Sequence, residues 1–245
     1  MVFVVGSPRS GTTFLGRAIG SCPGFVDLGE IEAHKAAIPD LAALSPEEAA
    51  PAIRRTLRLT RRLALVGGLR AVEQTPESVF VAPGIALAFP QAQIVHIVRD
   101  GRDVVCSLLD RGWLSAHRHG HDHVGNPLGS RPRFWVEPGR EAAFAAASDA
   151  RRAAWAWRRH VEAAQRVGER AHELRYERLS ADPVGAADAL AAVLDAPAGP
   201  LAHALQNAFA SSVGRFRRDL THEQLAEVED EAGALLRELG YLQSS

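Results

Sequence analysis

The sequence predicts an α/β fold in which helices cover both faces of a parallel sheet, giving three layers. Short runs rich in Val, Ile and Phe alternate along the chain with stretches of helical periodicity, as in consecutive β–α units. Of the 245 residues, 47% are hydrophobic, so the chain can bury a sizeable core. We expect one domain over residues 1–245, because no linker of distinct composition divides the chain.

The first predicted β–α unit opens the chain. Val2–Val5 is β-branched and aromatic and ends at a glycine, which is typical of a buried strand. Thr12–Gly20 follows as a predicted helix. A second helix is predicted over Pro46–Leu65, because Ser45 and Glu48 have the spacing of a capping box.

Two further strands are predicted before residue 100. Leu69–Glu73 is a short candidate strand, and the isoleucines and valines of Gln93–Val98 predict the strongest strand of the chain. Ser78–Ala88 is predicted as a helix despite an internal proline, and Arg102–Leu109 as the helix that follows the strong strand. This alternation of strand and helix favours parallel pairing.

The last third of the chain is predicted to begin with a long helix over Glu141–Val167. His172–Tyr176 is a candidate strand, Asp182 with its following proline opens another helix, and Thr221 caps a final amphipathic helix.

Side chains of the long helix are interpreted from their spacing. Trp155 and Trp157 are two residues apart and do not share a helix face, so we predict one in the core and the other in the wall of a substrate pocket. The arginine pairs at 151–152 and 158–159 are interpreted as solvated faces.

Residues 112–139 differ in composition from their surroundings and are predicted to form a His/Pro-rich lid insertion, since loops this long are often functional. Imidazoles are common zinc ligands, but the spacing here does not match the His-x-His-x-Asp-His pattern of binuclear hydrolases. We therefore predict no metal site and a lid that is solvated or faces substrate. The alternating histidines are His117, His119, His121 and His123.

Composition excludes several classes of function. A formal net charge of −1 argues against non-specific nucleic-acid binding. Two cysteines, Cys22 and Cys106, are too few for a disulfide framework and favour a reducing compartment. No signal peptide and no apolar run long enough to span a bilayer is visible. We expect a cytoplasmic protein without a transmembrane segment or a nucleic-acid partner; the oligomeric state is not readable.

The basic residues are almost all arginine, because Lys35 is the only lysine among 28 Lys and Arg residues. We attribute this bias to GC-rich coding and interpret Lys35 as a surface residue, or else as the lysine that any lysine-dependent chemistry must use. Its consequence is chemical: anions must be held by arginine, hydroxyl groups and backbone N–H groups rather than by lysine.

A glycine-rich loop joins the first strand to the first helix, which is the arrangement that holds phosphate groups. The nucleoside-triphosphate version of this loop has the pattern G-x-x-x-x-G-K-[ST]. Gly6, Gly11 and Thr13 fit that pattern, but Thr12 occupies the lysine position and the cation has moved to Arg9.

A second candidate anion site follows the strand Gln93–Val98. Arg99 lies at its carboxyl end, where open α/β sheets bind ligands, and Ser107 lies about two turns into the next helix. A guanidinium and a hydroxyl suit a terminal phosphate. Arg102 and Asp103 are interpreted as surface ion pairs.

These segments, in this order, resemble the sulfotransferase family that uses 3′-phosphoadenosine-5′-phosphosulfate (PAPS). The first loop resembles its 5′-phosphosulfate loop, and the segment from Arg99 to Ser107 its 3′-phosphate motif. Other segments resemble its Tyr-Glu-x-Leu, Gly-Arg-Trp-like and Glu-Lys-Thr-Pro segments. The matching segments are Pro8–Thr13, Arg99–Ser107, Leu174–Leu179, Val213–Arg218 and Glu73–Pro76.

The resemblance implies a P-loop-like α/β fold and transfer of a sulfuryl group to a hydroxyl or amine, leaving adenosine 3′,5′-bisphosphate (PAP), with no metal required. Variable segments at about 31–68 and 112–150 would select the acceptor, which we expect to be a small or lipid-like molecule. The implied nucleotide-binding residues are Ser7, Pro8, Arg9, Ser10, Gly11, Thr12, Thr13, Arg99, Ser107, Tyr176, Gly214 and Arg215.

The implied catalytic residues are Arg9, which would stabilise the leaving phosphate, and a general base. Glu30 is the first candidate for the base and Glu73 the second, with His34 a further possibility. Glu73 is alternatively a salt-bridge partner of Arg9 or Arg99.

The chain departs from the family pattern at two positions: Gln74 replaces the lysine of Glu-Lys-Thr-Pro and Phe216 replaces tryptophan. The alternatives left open are a nucleotide kinase or NTPase and a non-catalytic nucleotide-binding relative.

Overall fold

The computed structural model of the protein describes residues 1–58, 62, 68–114, 133–208 and 210–243. Its sheet has five strands, all parallel, in the order β2-β3-β1-β4-β5. The predicted α/β fold with a parallel sheet is therefore confirmed. The strands are β1 (Val2–Val5), β2 (Phe25–Asp27), β3 (Arg70–Glu73), β4 (Gln93–Val98) and β5 (Ala171–Arg175).

The edge strand β2 was not predicted from the sequence. It has three residues and directly follows the Pro23-Gly24 turn, so neither its length nor its pattern distinguishes it from a loop. Its pairing with β3, in the register Phe25 to Arg70, makes it a strand. That pairing is a long-range contact, which local propensity does not contain.

Helices fill the connections between strands. In chain order they are α1 (Thr12–Gly20), α2 (Glu32–Leu41), α3 (Pro46–Thr56), α4 (Ala82–Ala88), α5 (Gly101–Leu109), α6 (Glu141–Ala146), α7 (Asp149–Gln165), α8 (Tyr176–Ala181), α9 (Pro183–Leu194), α10 (Ala198–Leu205), α11 (Phe216–Asp219) and α12 (His222–Glu238), with 3-10 helices at Pro76–Val81, Gly168–Arg170 and Ala210–Ser212.

The side chains of β1 alternate between the two faces of the sheet. Val2 and Val4 pack into a core with α1, α9 and α10, whereas Phe3 and Val5 pack into another with α2, α3 and α4. A third apolar cluster joins α5, α7 and α12. The sheet is thus covered on both sides, as predicted for three layers.

The strand order places a switch point at β1. The chain proceeds from β1 to β2 and β3 on one side, and then continues on the other side of β1 with β4 and β5. In open α/β sheets, ligands bind at the carboxyl ends of the strands beside such a point. The loops that follow β1 and β4 meet there.

Three predicted helices differ from the structure. α3 begins with the predicted Ser45 capping box but ends at Thr56, and most of residues 59–65 lie outside the described residues. The predicted helix Ser78–Ala88 is a 3-10 helix followed by α4, because Pro83 occupies the first turn of α4. The predicted helix Glu141–Val167 divides into α6 and α7, and the Ser148 hydroxyl caps α7 by accepting from the Arg151 N–H.

The predicted pocket role of a tryptophan on α7 is wrong for both candidates. Trp155 and Trp157 are buried, at 2% and 0% exposure. The indole N–H of Trp155 donates to Glu137 and that of Trp157 to the Arg99 carbonyl oxygen. Both rings therefore belong to the core, and Trp157 also supports the end of β4.

The predicted solvated arginine faces of α7 are largely wrong as well. Arg152 is buried and pairs with Asp149. Arg158 is held by three carboxylates, which supply the charge compensation that a half-buried guanidinium needs. Those carboxylates belong to Glu137, Glu162 and Glu231.

The histidine run at 117–123 lies outside the described residues, as does most of the predicted lid. In the part of the chain that is described, no cluster of three or more His, Cys, Asp or Glu side chains has the geometry of a metal site. No helix in these ranges combines the length and hydropathy that crossing a bilayer requires.

Candidate functional site

The glycine-rich loop after β1 turns sharply into α1. Gly11 precedes the helix with φ of 106°, a backbone conformation that favours glycine. A Cβ at Gly11 would lie 2.9 Å from the ring of Tyr176, so the loop and this ring are in close contact. The N-terminus of α1, with its unpaired backbone N–H groups, faces the space beside this loop.

Arg99 reaches the same space from the end of β4. One guanidinium nitrogen donates to the Arg9 carbonyl oxygen at 3.3 Å and another to the Ser212 carbonyl oxygen. The guanidinium also stacks on the Tyr176 ring, 4.8 Å from its centroid. Contacts to three separate segments hold Arg99 in one place.

The two loops enclose a cavity of about 300 Å³ at the carboxyl edge of the sheet. Ser7, Pro8, Ser10 and Gly214, all predicted to bind nucleotide, do not line it, and Phe14 and Ser212, which the sequence analysis did not single out, do. The lining residues are Arg9, Gly11, Thr12, Thr13, Phe14, Arg99, Ser107, Tyr176, Ser212 and Arg215.

Arg9 joins the two predicted anion sites directly. Its Nε donates to the Ser107 hydroxyl at 2.9 Å, and its guanidinium lies 5.2 Å from the Trp113 ring centroid. Burial, followed by the charges of Arg111 and Arg99, lowers the pKa of Arg9 from its ordinary value. Two like charges facing one cavity repel each other, so an anion between them would be stabilised.

Two polar atoms at this site are buried without a hydrogen-bond partner in the described part of the protein: the Ser10 hydroxyl and the Arg99 Nε. Buried polar groups are almost always paired in native structures. Unsatisfied hydrogen-bonding groups beside a cavity with two arginines fit an anionic ligand.

The predicted surface pairing of Arg102 and Asp103 is wrong. Asp103 is fully buried, and its two carboxylate oxygens accept from the N–H groups of Gly214, at 2.7 Å, and Phe216, at 3.0 Å. Arg102 is also buried and donates to both oxygens of Asp100. Asp103 therefore fixes the loop that carries Arg215 to the cavity wall.

Replacing Asp103 with asparagine is expected to release this loop. One of the two N–H groups would then face an amide NH₂, which leaves buried donors unsatisfied at a cost of about 1–3 kcal/mol. We expect Asp103→Asn to lower the unfolding free energy by that amount in chemical denaturation. Asp188→Asn, at an exposed position on α9, is the control; equal unfolding free energies in both variants would contradict the loop-anchoring role.

Arg215 has carboxylate partners of its own. Its guanidinium pairs with Asp110 at 2.8 Å and with Asp219 at 2.6 Å. These pairs hold the side chain along the cavity rim, between α5 and α11.

Glu73 does not form the salt bridge with Arg9 or Arg99 that was offered as an alternative. It is fully buried at the end of β3, where it accepts from the Thr75 N–H at 2.9 Å and from the Ser78 hydroxyl at 3.0 Å. Burial raises its pKa to about 7, with a smaller contribution from the negative charge of Glu30.

His34 continues this buried chain of hydrogen bonds. Its Nε2 lies 3.1 Å from the Ser78 hydroxyl, which links it to Glu73. Burial lowers the pKa of His34 to about 4, so the imidazole is neutral at neutral pH. Because the serine hydroxyl donates to Glu73, the imidazole donates its Nε2–H to the serine.

Glu30 is the predicted base that retains an exposed carboxylate. The loop carrying it is fixed by the Gly29 N–H, which donates to Asp27, and by the Gly29 carbonyl oxygen, which accepts from the Gln74 N–H. The Glu30 side chain is 21% exposed, and its Oε2 lies 2.5 Å from the Lys35 Nζ. Lys35 itself is buried, so its interpretation as a surface residue is wrong.

Gln74, which replaces the family's lysine, is buried against the start of α1. With its amide nitrogen turned towards the helix, it donates to the carbonyl oxygens of Thr12 and Thr13, each at 3.1 Å. These two hydrogen bonds stabilise the first turn of α1.

The cavity lies between the loops that follow β1 and β4, at the switch point of the sheet, and has arginines on both sides. This arrangement is typical of α/β proteins that bind anions. The sequence profile described as the sulfotransferase family matches residues 2–200. The chain belongs to the sulfotransferase family.

Solved sulfotransferase structures share the fold. The sulfotransferase domain from the curacin biosynthetic pathway aligns with a TM-score of 0.63 at 16% identity, over 96% of each chain. A sulfotransferase from Alicyclobacillus acidocaldarius aligns with a TM-score of 0.55 at 20% identity, over 99% of this chain and 96% of its own. A sulfotransferase from Mycobacterium avium aligns with a TM-score of 0.54 at 14% identity, over 97% of this chain and 76% of its own. A comparison with curated protein sequences gave no significant match.

Proposed function

We propose that the protein transfers a sulfuryl group from PAPS to a hydroxyl or amine of a small or lipid-like acceptor. The observation that carries this proposal is the cavity in which Arg9, Thr12 and Thr13 meet Arg99 and Ser107. These five residues supply two guanidinium groups and three hydroxyls, and Arg215 lines the same cavity. Such a set suits a nucleotide with phosphate groups on both its 3′ and 5′ positions.

Three groups of residues would hold this donor. The loop after β1 and the first turn of α1 would bind its 5′ phosphosulfate through backbone N–H groups and hydroxyls. Arg99 and Ser107 would bind its 3′ phosphate, and Tyr176, which already stacks on Arg99, would contact the adenine.

The reaction needs an in-line arrangement, stabilisation of the leaving oxygen and removal of a proton. As the bond from acceptor oxygen to sulfur forms and the bond from sulfur to the phosphate oxygen breaks, Arg9 stabilises the charge that the leaving PAP gains. Glu30 takes the acceptor proton, because it is the predicted base with an exposed carboxylate. Glu73 is fully buried, and we assign it a supporting role without contact with the acceptor.

Acceptor choice would rest with residues 31–68 and 112–150. Within the first segment, α2 carries Lys35 and His34 to the side of Glu30. Near the start of the second segment, the Trp113 ring centroid lies 5.2 Å from the Arg9 guanidinium. The described parts of both segments therefore approach the two proposed catalytic groups, Glu30 and Arg9.

Thermal unfolding tests the nucleotide preference. At one hundred times its Kd, a ligand adds about 2.7 kcal/mol of stability, which corresponds to a Tm rise of about 5–10 °C for a chain of this size. We expect this rise with PAP and a much smaller one with ATP or AMP. Arg99→Met should abolish the difference.

Equal responses to PAP and ATP would overturn the proposal in favour of a kinase or NTPase, although Thr12 stands where those enzymes carry lysine. Binding of PAP without turnover of any acceptor would favour a non-catalytic relative.

A further inference from the structure

The only lysine of the chain lies inside the protein, next to the proposed base. Lys35 is at the end of the first turn of α2, and its side chain is 4% exposed. Its Nζ lies 2.5 Å from the Oε2 of Glu30 and 3.9 Å from the Oε2 of Glu77. An ammonium group is rarely buried to this extent without paired carboxylates.

The two carboxylates beside Lys35 differ in exposure. Glu30 is 21% exposed, whereas Glu77, in the 3-10 helix, is 8% exposed. One carboxylate thus remains open to a reactant while the other lies on the interior side of the ammonium. A glutamate on a loop would otherwise sample several rotamers, and the contact with Lys35 restricts it to one.

We propose that Lys35 is a positioning residue for the transfer reaction: its ammonium, 2.5 Å from the Glu30 carboxylate, holds that carboxylate in one orientation. The inference rests on the proposed function. Lys35 does not touch the reactants; it acts through Glu30.

Other titratable groups lie near this pair. The Gly29 N–H, next to Glu30 in the chain, donates to Asp27 of β2. Glu73 of β3 accepts from the Ser78 hydroxyl, which also contacts His34 of α2, and the negative charge of Glu30 raises the pKa of Glu73. Lys35→Met would remove a positive charge that lies 2.5 Å from the Glu30 carboxylate, and an adjacent positive charge favours the charged form of a carboxylate.

Glu77 explains how the ammonium stays compensated during the reaction. When Glu30 accepts the acceptor proton, it becomes neutral and its charge no longer balances Lys35. The Glu77 carboxylate at 3.9 Å then remains as the counter-charge, so no unpaired charge is created in the interior.

The pH dependence of kcat provides the test. Lys35→Met removes the charge at similar volume, and we expect kcat at pH 7 to fall at least tenfold, with the KM for PAPS within about twofold of wild type. Loss of activity towards acid pH should begin about one pH unit higher than in wild type. Glu77→Gln removes the carboxylate that competes with Glu30 for the Lys35 ammonium. In this variant, the loss of activity towards acid pH (the acid limb) should begin at a lower pH than in wild type.

Arg158→Met is the matched control, because it removes another largely buried cation held between carboxylates, on α7. It should lower stability without moving the acid limb. The proposal is supported if the acid limb moves to higher pH in Lys35→Met and to lower pH in Glu77→Gln. It is overturned if the acid limb moves in the same direction in both variants or does not move. If Lys35→Met does not fold, the shift in Glu77→Gln decides.

The single lysine also gives a readout that does not need activity. Protein labelled with ¹³C-lysine has one lysine side chain to observe, and Glu30→Gln should move its Cε resonance while Asp188→Asn should not. An unmoved resonance overturns the pairing. A moved resonance in a protein that transfers no sulfuryl group would show that the pair exists and that the proposed function is wrong.

Discussion

Glu30→Gln is expected to lower kcat by about 10²–10⁴, the usual contribution of a positioned general base. The amide keeps the shape of the side chain but cannot accept the acceptor proton. Because Glu30 does not line the cavity beside Arg99, the affinity for PAP should stay within about twofold of wild type. Single-turnover kinetics with saturating PAPS would measure the chemical step directly.

Glu73→Gln is the matched variant for Glu30→Gln. Glu30 and Glu73 are both predicted bases, and only Glu30 is partly exposed to solvent. Glutamine at 73 can still accept from the Thr75 N–H, so we expect activity to remain within about tenfold of wild type. A larger loss of activity in Glu73→Gln than in Glu30→Gln would indicate that Glu73 is the base and Glu30 the supporting residue.

The same variant should change the pH dependence of stability. The pKa of Glu73 is raised to about 7 by burial, so between about pH 4.5 and 7 the folded protein binds a proton that the unfolded chain releases. The contribution of Glu73 to the free energy of unfolding is therefore present at low pH and lost as pH rises through 7. Glu73→Gln should flatten this part of the curve in denaturant titrations.

Arg9→Ala is expected to lower kcat by about 10²–10³, as when one preorganised donor to a developing oxyanion is removed. The fold should survive, because Arg9 lies in a loop and its described side-chain contacts are those with Ser107 and Trp113. Its φ of 71° is left-handed, and alanine bears a similar backbone cost there.

Arg17→Ala serves as the control for Arg9→Ala, because Arg17 is exposed on the helix that follows the same loop. It removes one positive charge without touching the cavity. Turnover by Arg9→Ala close to that of Arg17→Ala would refute the assignment of Arg9 to the leaving group.

The cavity between the loops that follow β1 and β4 was the part of the candidate site most accessible from sequence. The loop after β1 and the segment from Arg99 to Ser107 are each continuous in the chain, so local spacing and the strand before them indicate where they lie. The structure brings them to one cavity, and eight of the twelve predicted nucleotide-binding residues line it.

The surroundings of the candidate bases depend on contacts between distant segments, which the sequence did not predict. The chain from Glu73 through Ser78 to His34 joins β3, a 3-10 helix and α2, and nothing in the local pattern brings these elements together. Lys35 was interpreted as a surface residue because lysine usually is. Its burial follows from two acidic partners, one of which is 42 positions away in sequence.

The contact between Gly11 and Tyr176 has a consequence for how this protein can evolve. A Cβ at position 11 would lie 2.9 Å from the Tyr176 ring, and that ring also supports the guanidinium of Arg99. Gly11, Arg99 and Tyr176 lie in different segments of the sequence but pack against each other around the Tyr176 ring. Because the backbone at Gly11, with φ of 106°, strains any side chain whatever the space, a smaller residue at position 176 would not make room for one. We therefore expect position 11 to remain glycine even where residue 176 changes.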